Sequence, residues 1–266
     1  MTQGMNAHPL FLMRCKQPLH TVLACLFSLP VAPTVGSDPL KYDGTVGLSV
    51  ERFNYDEKDE ADRRIDAENG TLPGLFLGLR ARSGQWYISG GMQAMQGEVD
   101  YVAFPASASE LKSRTSEDMR EYSLALGFNQ SINQDNRLEY TGGLGVRTWN
   151  RDIHSLPGVS GLDETYVWPY VSLGIRPVFQ LSKTSRMDLL LRAKRTFDAT
   201  LDVEFKDGLF DPVELDLKDG RGVDLEATWL HQADSATVLG IGPYLRLWWF
   251  EQSDRFTLTR NGVPVG

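Results

Sequence analysis

The sequence predicts an all-β chain, an antiparallel up-and-down transmembrane β-barrel of about ten strands. Three observations carry that prediction. An export leader opens the chain, the hydrophobic period beyond it is two, and the connections between amphipathic segments alternate short with long.

The leader occupies residues 1–37. Arg14 and Lys16 form a short positive region and residues 21–31 an apolar one. Val35, Gly36 and Ser37 supply the small residues of a cleavage site. The cut is therefore expected near Ser37, leaving 38–266 as the barrel domain. Val22 to Cys25 loosely has the form of a lipoprotein box, but apolar sequence continues past Cys25 to Leu29, which favours a cysteine inside the leader. Both cysteines, Cys15 and Cys25, fall in the leader, so the exported domain has none. That suits passage through an oxidising periplasm.

Beyond the leader no run of about 18 apolar residues exists, so a spanning helix is ruled out. A barrel strand needs only about 9–11 residues and shows lipid one face. The formal charge is -8, and residues 1–37 contribute two bases and no acid, so the remainder carries 25 bases against 35 acids, a net -10. Such an acidic chain lacks the clustered bases that phosphate backbones require, and nucleic acid is not an expected partner.

The period of two is clearest over residues 187–205. Met187, Leu189, Leu191, Ala193, Phe197, Ala199, Leu201, Val203 and Phe205 share one parity, interrupted by Arg195. The other parity holds Asp188, Arg192, Lys194, Asp198, Asp202 and Glu204. Successive strand side chains face opposite sides, so one face is apolar and the other charged. The same alternation places Leu75, Leu77 and Leu79 against Arg80 and Arg82. It sets Leu144 and Val146 against Arg147, Leu173 and Ile175 against Arg176, and Leu245 and Leu247 against Arg246. Asp224 and Glu226 lie opposite Val223, Leu225 and Ala227. Inward Arg80, Arg82, Arg147, Arg176, Arg192, Lys194 and Arg246 facing Asp188, Asp198, Asp202, Glu204, Asp224 and Glu226 read as a lumen filled by ion pairs, because buried charges need partners. Aromatics such as Trp86, Tyr140, Trp149, Tyr166, Trp168, Trp229, Trp248 and Phe250 are expected at strand ends as interfacial girdles.

Short connections fall at 82–85, 133–137, 182–186 and 232–236. Long ones fall at 56–72, 105–120, 150–163 and 206–222. Short periplasmic turns and long outer loops are the habit of membrane barrels. Leu209, Phe210, Val213, Leu215 and Leu217 alternate within the last long loop, which is expected to form a protruding hairpin. Nine strands result: 45–55, 73–82, 86–103, 120–132, 137–149, 164–181, 187–205, 223–232 and 237–252. Single-chain bacterial barrels have an even number. The expectation is a tenth, C-terminal strand missing beyond Gly266. The alternative is eight strands, with 73–82 the segment most open to reassignment.

Residues 38–266, including YSLALGFN at 122–129 and YTGGLGVRTWNRDI at 140–153, resemble the small outer-membrane β-barrel proteins of Gram-negative bacteria, with OmpA-like or omptin-like architecture. The resemblance implies an outer-membrane location. It also implies contact with membrane lipid and lipopolysaccharide, folding through the barrel assembly machinery, and an extracellular ligand held by the loops.

Enzymatic relatives of that class use a histidine at the outer rim, and beyond the leader only His154 and His231 exist. His154 is a candidate base beside Asp152 and Ser155, or a solvated loop residue. His231 sits on the lipid-facing parity near a turn. The charged run 56–62 reads as a solvated loop, with cation binding as the sharper alternative. No catalytic signature, cofactor motif or metal set is present. The preferred reading is a non-enzymatic barrel with a structural or surface-binding role. A narrow solute channel is the first alternative and a rim hydrolase, omptin-like or lipid A deacylase-like, the second.

Overall fold

The computed structural model describes residues 12–15, 40–59, 61–104, 110–218, 220–251 and 257–265. The leader with its boundary near Ser37 lies outside them, except for the backbone of 12–15. No described helix is long and apolar enough to cross a membrane, which says nothing about crossing by strands.

Fifteen strands are present among the described residues. The wall begins with β1 (Leu12–Cys15), β2 (Lys41–Lys58), β3 (Arg64–Ser83), β4 (Trp86–Ala103), β5 (Leu111–Ser131), β6 (Asn136–Ile153) and β7 (Leu162–Gln180). It continues with β8 (Ser185–Thr196), β9 (Ala199–Phe205), β10 (Val213–Leu217), β11 (Gly220–Gln232), β12 (Val238–Ile241) and β13 (Tyr244–Phe250). A small hairpin, β14 (Thr259–Arg260) and β15 (Val263–Pro264), follows. Antiparallel ladders join β2 through β8 in sequence, then β8 to β11 and β11 to β13. β1, four residues of the segment read as the leader, pairs with β13 on one side and β2 on the other near one end of the wall. In the expected barrel of residues 38–266, β13 and β2 are the two strands that flank the tenth place. Lower on this seam, Tyr244 Oη of β13 donates to Glu51 Oε2 of β2 at 2.6 Å.

The outward face carries the apolar residues that the period-two pattern assigns to lipid. Leu48, Leu77, Leu126, Leu144 and Leu191 are exposed, and Leu79 and Leu173 are 73% and 74% exposed. So many large apolar side chains exposed on one face mark a surface that meets lipid rather than water. Trp86, Tyr140, Phe179 and Trp229 are exposed beside the short turns and form the girdle at that end. This is the architecture of an outer-membrane β-barrel.

The wall is taller than the membrane needs. Strands β2 to β7 run 18–21 residues. At roughly 3.3 Å per residue and a tilt near 40°, about 20 residues rise about 50 Å, against an apolar band of about 25 Å. The surplus overturns the expected long loops at 56–72, 105–120 and 150–163, which among the described residues are strand over 56–58, 64–72, 111–120, 150–153 and 162–163. The reason is visible on the outward face. On β5, Tyr122, Leu124 and Leu126 give way above to Arg120, Asp118 and Arg114. On β6, Leu144 gives way to Asn150 and Asp152, and on β2, Val50 to Arg52 and Asn54. Polar outward residues mark wall standing in water, and alternation continues through it.

Two predicted strands are broken. The 187–205 segment splits at Asp198, whose φ is 47°. That left-handed residue reverses parity. Leu189 and Leu191 face out below it, whereas Ala199, Leu201 and Val203 face in above it. β9 then follows β7 upward and pairs with β10, building the expected hairpin into the wall. The 237–252 segment splits at Gly242-Pro243. A Cβ at Gly242 would lie 1.9 Å from the Ala227 carbonyl oxygen, so only glycine fits that approach.

Candidate functional site

The inward face divides into three levels. The upper one is an aromatic plug. Phe53, Tyr55, Trp149, Tyr166, Trp168, Trp248 and Phe250 are buried in one cluster with Val203 and Leu215 of the β9–β10 hairpin. Trp149 stacks on Tyr166 with centroids 4.8 Å apart, and Phe53, Tyr55 and Trp168 meet its edges. Trp149, Tyr166, Trp168, Trp248 and Phe250 are therefore not girdle residues, as the sequence suggested. Above the membrane the outside is already wet, and the inside is where an aromatic ring escapes water.

Arg151 is threaded into this plug. It pairs with Glu68 at 2.9 Å and Glu164 at 2.6 Å, with no side-chain exposure. Its guanidinium lies 4.6 Å from the Tyr55 ring centroid and 5.1 Å from that of Trp149. Trp149 Nε1 donates to Glu117. Glu57 and Asp66 are buried at the same level, so one guanidinium stands among five carboxyls.

The middle level is an ion-pair lattice. Glu121 meets Lys194 at 2.9 Å, Arg147 at 3.4 Å and Arg246 at 3.4 Å. Tyr170 Oη donates to Glu121 at 2.6 Å. Asp224 meets Lys194 at 2.9 Å, Arg192 at 3.4 Å and Arg246 at 3.6 Å. Each carboxylate thus touches three cations, which satisfies charges taken out of bulk water.

The lower level, toward the short turns, is a chamber of about 480 Å³. Arg80, Arg82, Arg176, Asp188 and Glu226 line it. Arg82 faces Asp43 at 3.8 Å, and Asp188 faces Arg186 at 3.2 Å. Glu139 is buried behind Arg80, Arg137 and Arg176, at 3.4, 3.2 and 4.0 Å. Tyr87 fills the wall beside it. A Cβ on Gly127 would strike the Tyr87 ring at 2.1 Å, so glycine is required where that ring crosses the wall.

Of the sequence candidates, Arg80, Arg82, Arg147, Arg176, Asp188, Arg192, Lys194, Asp224, Glu226 and Arg246 are placed in the lumen. Asp198, Asp202 and Glu204 are not, and this corrects their assignment. The parity reversal at Asp198 turns all three outward into solvent. The residues missed are Glu68, Glu117, Glu121, Glu139, Arg151 and Glu164. Their signal was parity continued: Glu121 precedes Ser123 by two, and Arg151 follows Arg147 and Trp149 at the same spacing. Reading 56–72, 105–120 and 150–163 as loops concealed Glu68, Glu117 and Arg151, whereas Glu121, Glu139 and Glu164 stood on segments already read as strands and were passed over there.

His154 is half-buried, on the outer side of the rim. Ser116 Oγ lies 3.1 Å from its Nε2, and Asp152 Oδ1 lies 3.9 Å from the same nitrogen. A relay triad needs the acid on Nδ1 and the hydroxyl on Nε2. Here both compete for one nitrogen, and Asp152 is engaged by Lys206. Ser155 Oγ accepts from the Gly161 amide instead. His231 Nδ1 sits 3.0 Å from Ser185 Oγ at the lower rim and stacks on Trp229. No group of three His, Cys, Asp or Glu arranged to hold a metal occurs among the described residues. Lys58 and Arg63 in the charged run 56–62 and its flank are bound to Asp62 and Asp59.

No protein-family model matches the chain, and comparison with curated protein sequences finds no match. Among solved structures, it is similar to the translocator domain of autotransporter NalP from Neisseria meningitidis. That match has 11% identity and a TM-score of 0.45, over 95% of this chain and 90% of that one. It is also similar to the outer membrane protease OmpT from Escherichia coli, at 8% identity and a TM-score of 0.40, over 93% and 96%. Neither likeness bears on activity.

Proposed function

We propose that this protein is a non-conducting outer-membrane barrel whose role is structural or surface-binding, exercised by the wall and tips that stand above the membrane. The enclosed Arg151 carries this reading. A guanidinium with no exposure, clamped by two carboxylates and faced by aromatic rings, occupies the upper lumen and supports a non-conducting reading. A solute channel needs a continuous wet path, and about ten strands enclose little more than their own side chains. The rim offers binding chemistry instead. Outward pairs such as Arg114–Glu98 at 3.1 Å and Arg120–Asp118 at 2.9 Å present charge on a rigid scaffold. The geometry at His154 supports the non-enzymatic reading, because a single nitrogen faces both would-be partners.

Planar-bilayer recording of the purified, refolded barrel tests the proposal. The expected trace is quiet across applied voltages. Porin-like conductance steps would overturn it in favour of the channel, and His154-dependent cleavage of peptide or lipid would overturn it in favour of a hydrolase.

A further inference from the structure

The lower chamber holds a charge arrangement that structural pairing does not require. Around the buried carboxylate of Glu139 stand three guanidiniums, Arg80, Arg137 and Arg176, at 3.4, 3.2 and 4.0 Å. Glu139 neutralises one of them and Glu226, which lines the same chamber and interacts with Arg176, a second, so one base is left in excess. Arg186 joins the group with Asp188 at 3.2 Å, and this adds no net charge. Glu139 is 1% exposed, whereas Arg80, Arg137 and Arg176 keep 23–30% of their side chains open. The acid therefore sits in the wall, and the bases present their remaining N–H groups to the cavity. Arg80 is held in place from behind, its guanidinium 4.2 Å from the Tyr87 ring centroid. A guanidinium has five donors in a fixed fork that matches carboxylate and phosphate oxygens.

The chamber of about 480 Å³ is of the size that takes small molecules. It lies at the short-turn end, which faces the periplasm in a barrel of this type. The plug closes it above.

From this geometry we propose that the lower lumen is a binding site for a small polyvalent oxyanion of the phosphate or pyrophosphate class, entering from the periplasmic end. The ligand's oxygens take the forked donors of Arg80, Arg137 and Arg176, and its charge supplies the counter-charge that Glu139 and Glu226 leave short. A lipid headgroup is not the occupant, because the barrel wall separates the chamber from the bilayer.

Isothermal titration of the folded protein in neutral detergent with pyrophosphate tests this, with sodium chloride at matched ionic strength as the control. One site per barrel is expected. Arg80→Gln with Arg176→Gln should weaken binding at least about tenfold. Glu139→Gln should tighten it, since the competing buried acid is gone. Arg221→Gln at the opposite rim should leave it unchanged. Retained compactness of unheated protein on denaturing gels verifies folding. If the double variant does not fold, the Glu139→Gln sign decides alone. Heat no larger than that of chloride, equal affinity in the double variant, or weaker binding in Glu139→Gln would each overturn the site. So would loss of binding when anionic phosphatidylglycerol is added, which would mark a headgroup surface. None of these outcomes alters the conductance reading, so the two proposals fail separately.

Discussion

Arg151 and Glu164 face each other 2.6 Å apart across neighbouring strands inside the barrel, with essentially no exposure of either side chain. Glu68 closes the clamp from the other side at 2.9 Å. Removing one member of a buried pair leaves the remaining charge without compensation, at a cost of about 3–5 kcal/mol. Arg151→Ala should therefore lower the temperature at which unheated barrel converts to its unfolded gel mobility. It should do so more than Arg114→Ala, whose pair with Glu98 is exposed and contributes under about 1 kcal/mol. Equal shifts would remove the plug's energetic role.

The plug also predicts an opening. Combining Trp149→Ala with Arg151→Ala deletes the stacked ring and the guanidinium that fills the upper lumen. That double variant should show conductance in planar bilayers where the parent is expected to be silent. A silent double variant would mean that the ion-pair lattice below it is itself a seal.

At Asp198 the backbone is left-handed. Asp198→Gly should be close to neutral, because glycine enters that conformation freely. Asp198→Val should destabilise by about 1–2 kcal/mol, the cost of a left-handed conformation for a residue with a side-chain clash. Melting of the two variants by circular dichroism compares them. If valine were tolerated as well as glycine, the turn at 197–198 would not be what reverses the face of β9.

The two faces of the wall make opposite predictions for an inserted charge. Leu173 lies in the lipid belt, so Leu173→Arg should cost about 2–4 kcal/mol in refolding titrations into lipid. Asp202→Arg, on the outer surface of β9, should fall within about 0.5 kcal/mol of the parent. A large effect at Asp202 would return that residue to the lumen.

The hairpin of β14 and β15 is tied to the outer rim by Asp211. Its carboxylate accepts from Thr259 Oγ1 at 2.7 Å, Gly262 N at 2.9 Å and Asn261 N at 3.0 Å. The Gly262 amide, then the Thr259 hydroxyl, hold this carboxyl below the usual aspartate range. A depressed pKa means the contact is fully present above the ordinary aspartate value and is lost as pH falls through the lower, folded value. The Gly262 amide resonance should therefore stay fixed from neutral pH down past the ordinary value and move only below it. Asp211→Asn should flatten that transition. A transition at or above the ordinary value would contradict the tether.

The sequence alone determined the class of this protein. Leu124, Leu126, Leu144 and Leu173 alternate with small and charged residues because a strand shows lipid one side, and side-chain parity is a local property that needs no fold to read. The inward placement of Arg80, Arg147, Arg176 and Asp224 followed from the same parity. Only the tertiary structure decided what the parity meant at each height. The membrane covers half of the wall, so the apolar face is outward at Leu126 and inward at Trp149, although the pleat never slips between them. A single left-handed residue at Asp198 reversed the face of everything beyond it, which no periodicity announces. The partners of Arg151, namely Glu68 and Glu164, lie 83 and 13 residues away and meet it only because the sheet curls into a ring. Closure by curvature is a global property, and it is what brought scattered charges together as partners inside one lumen.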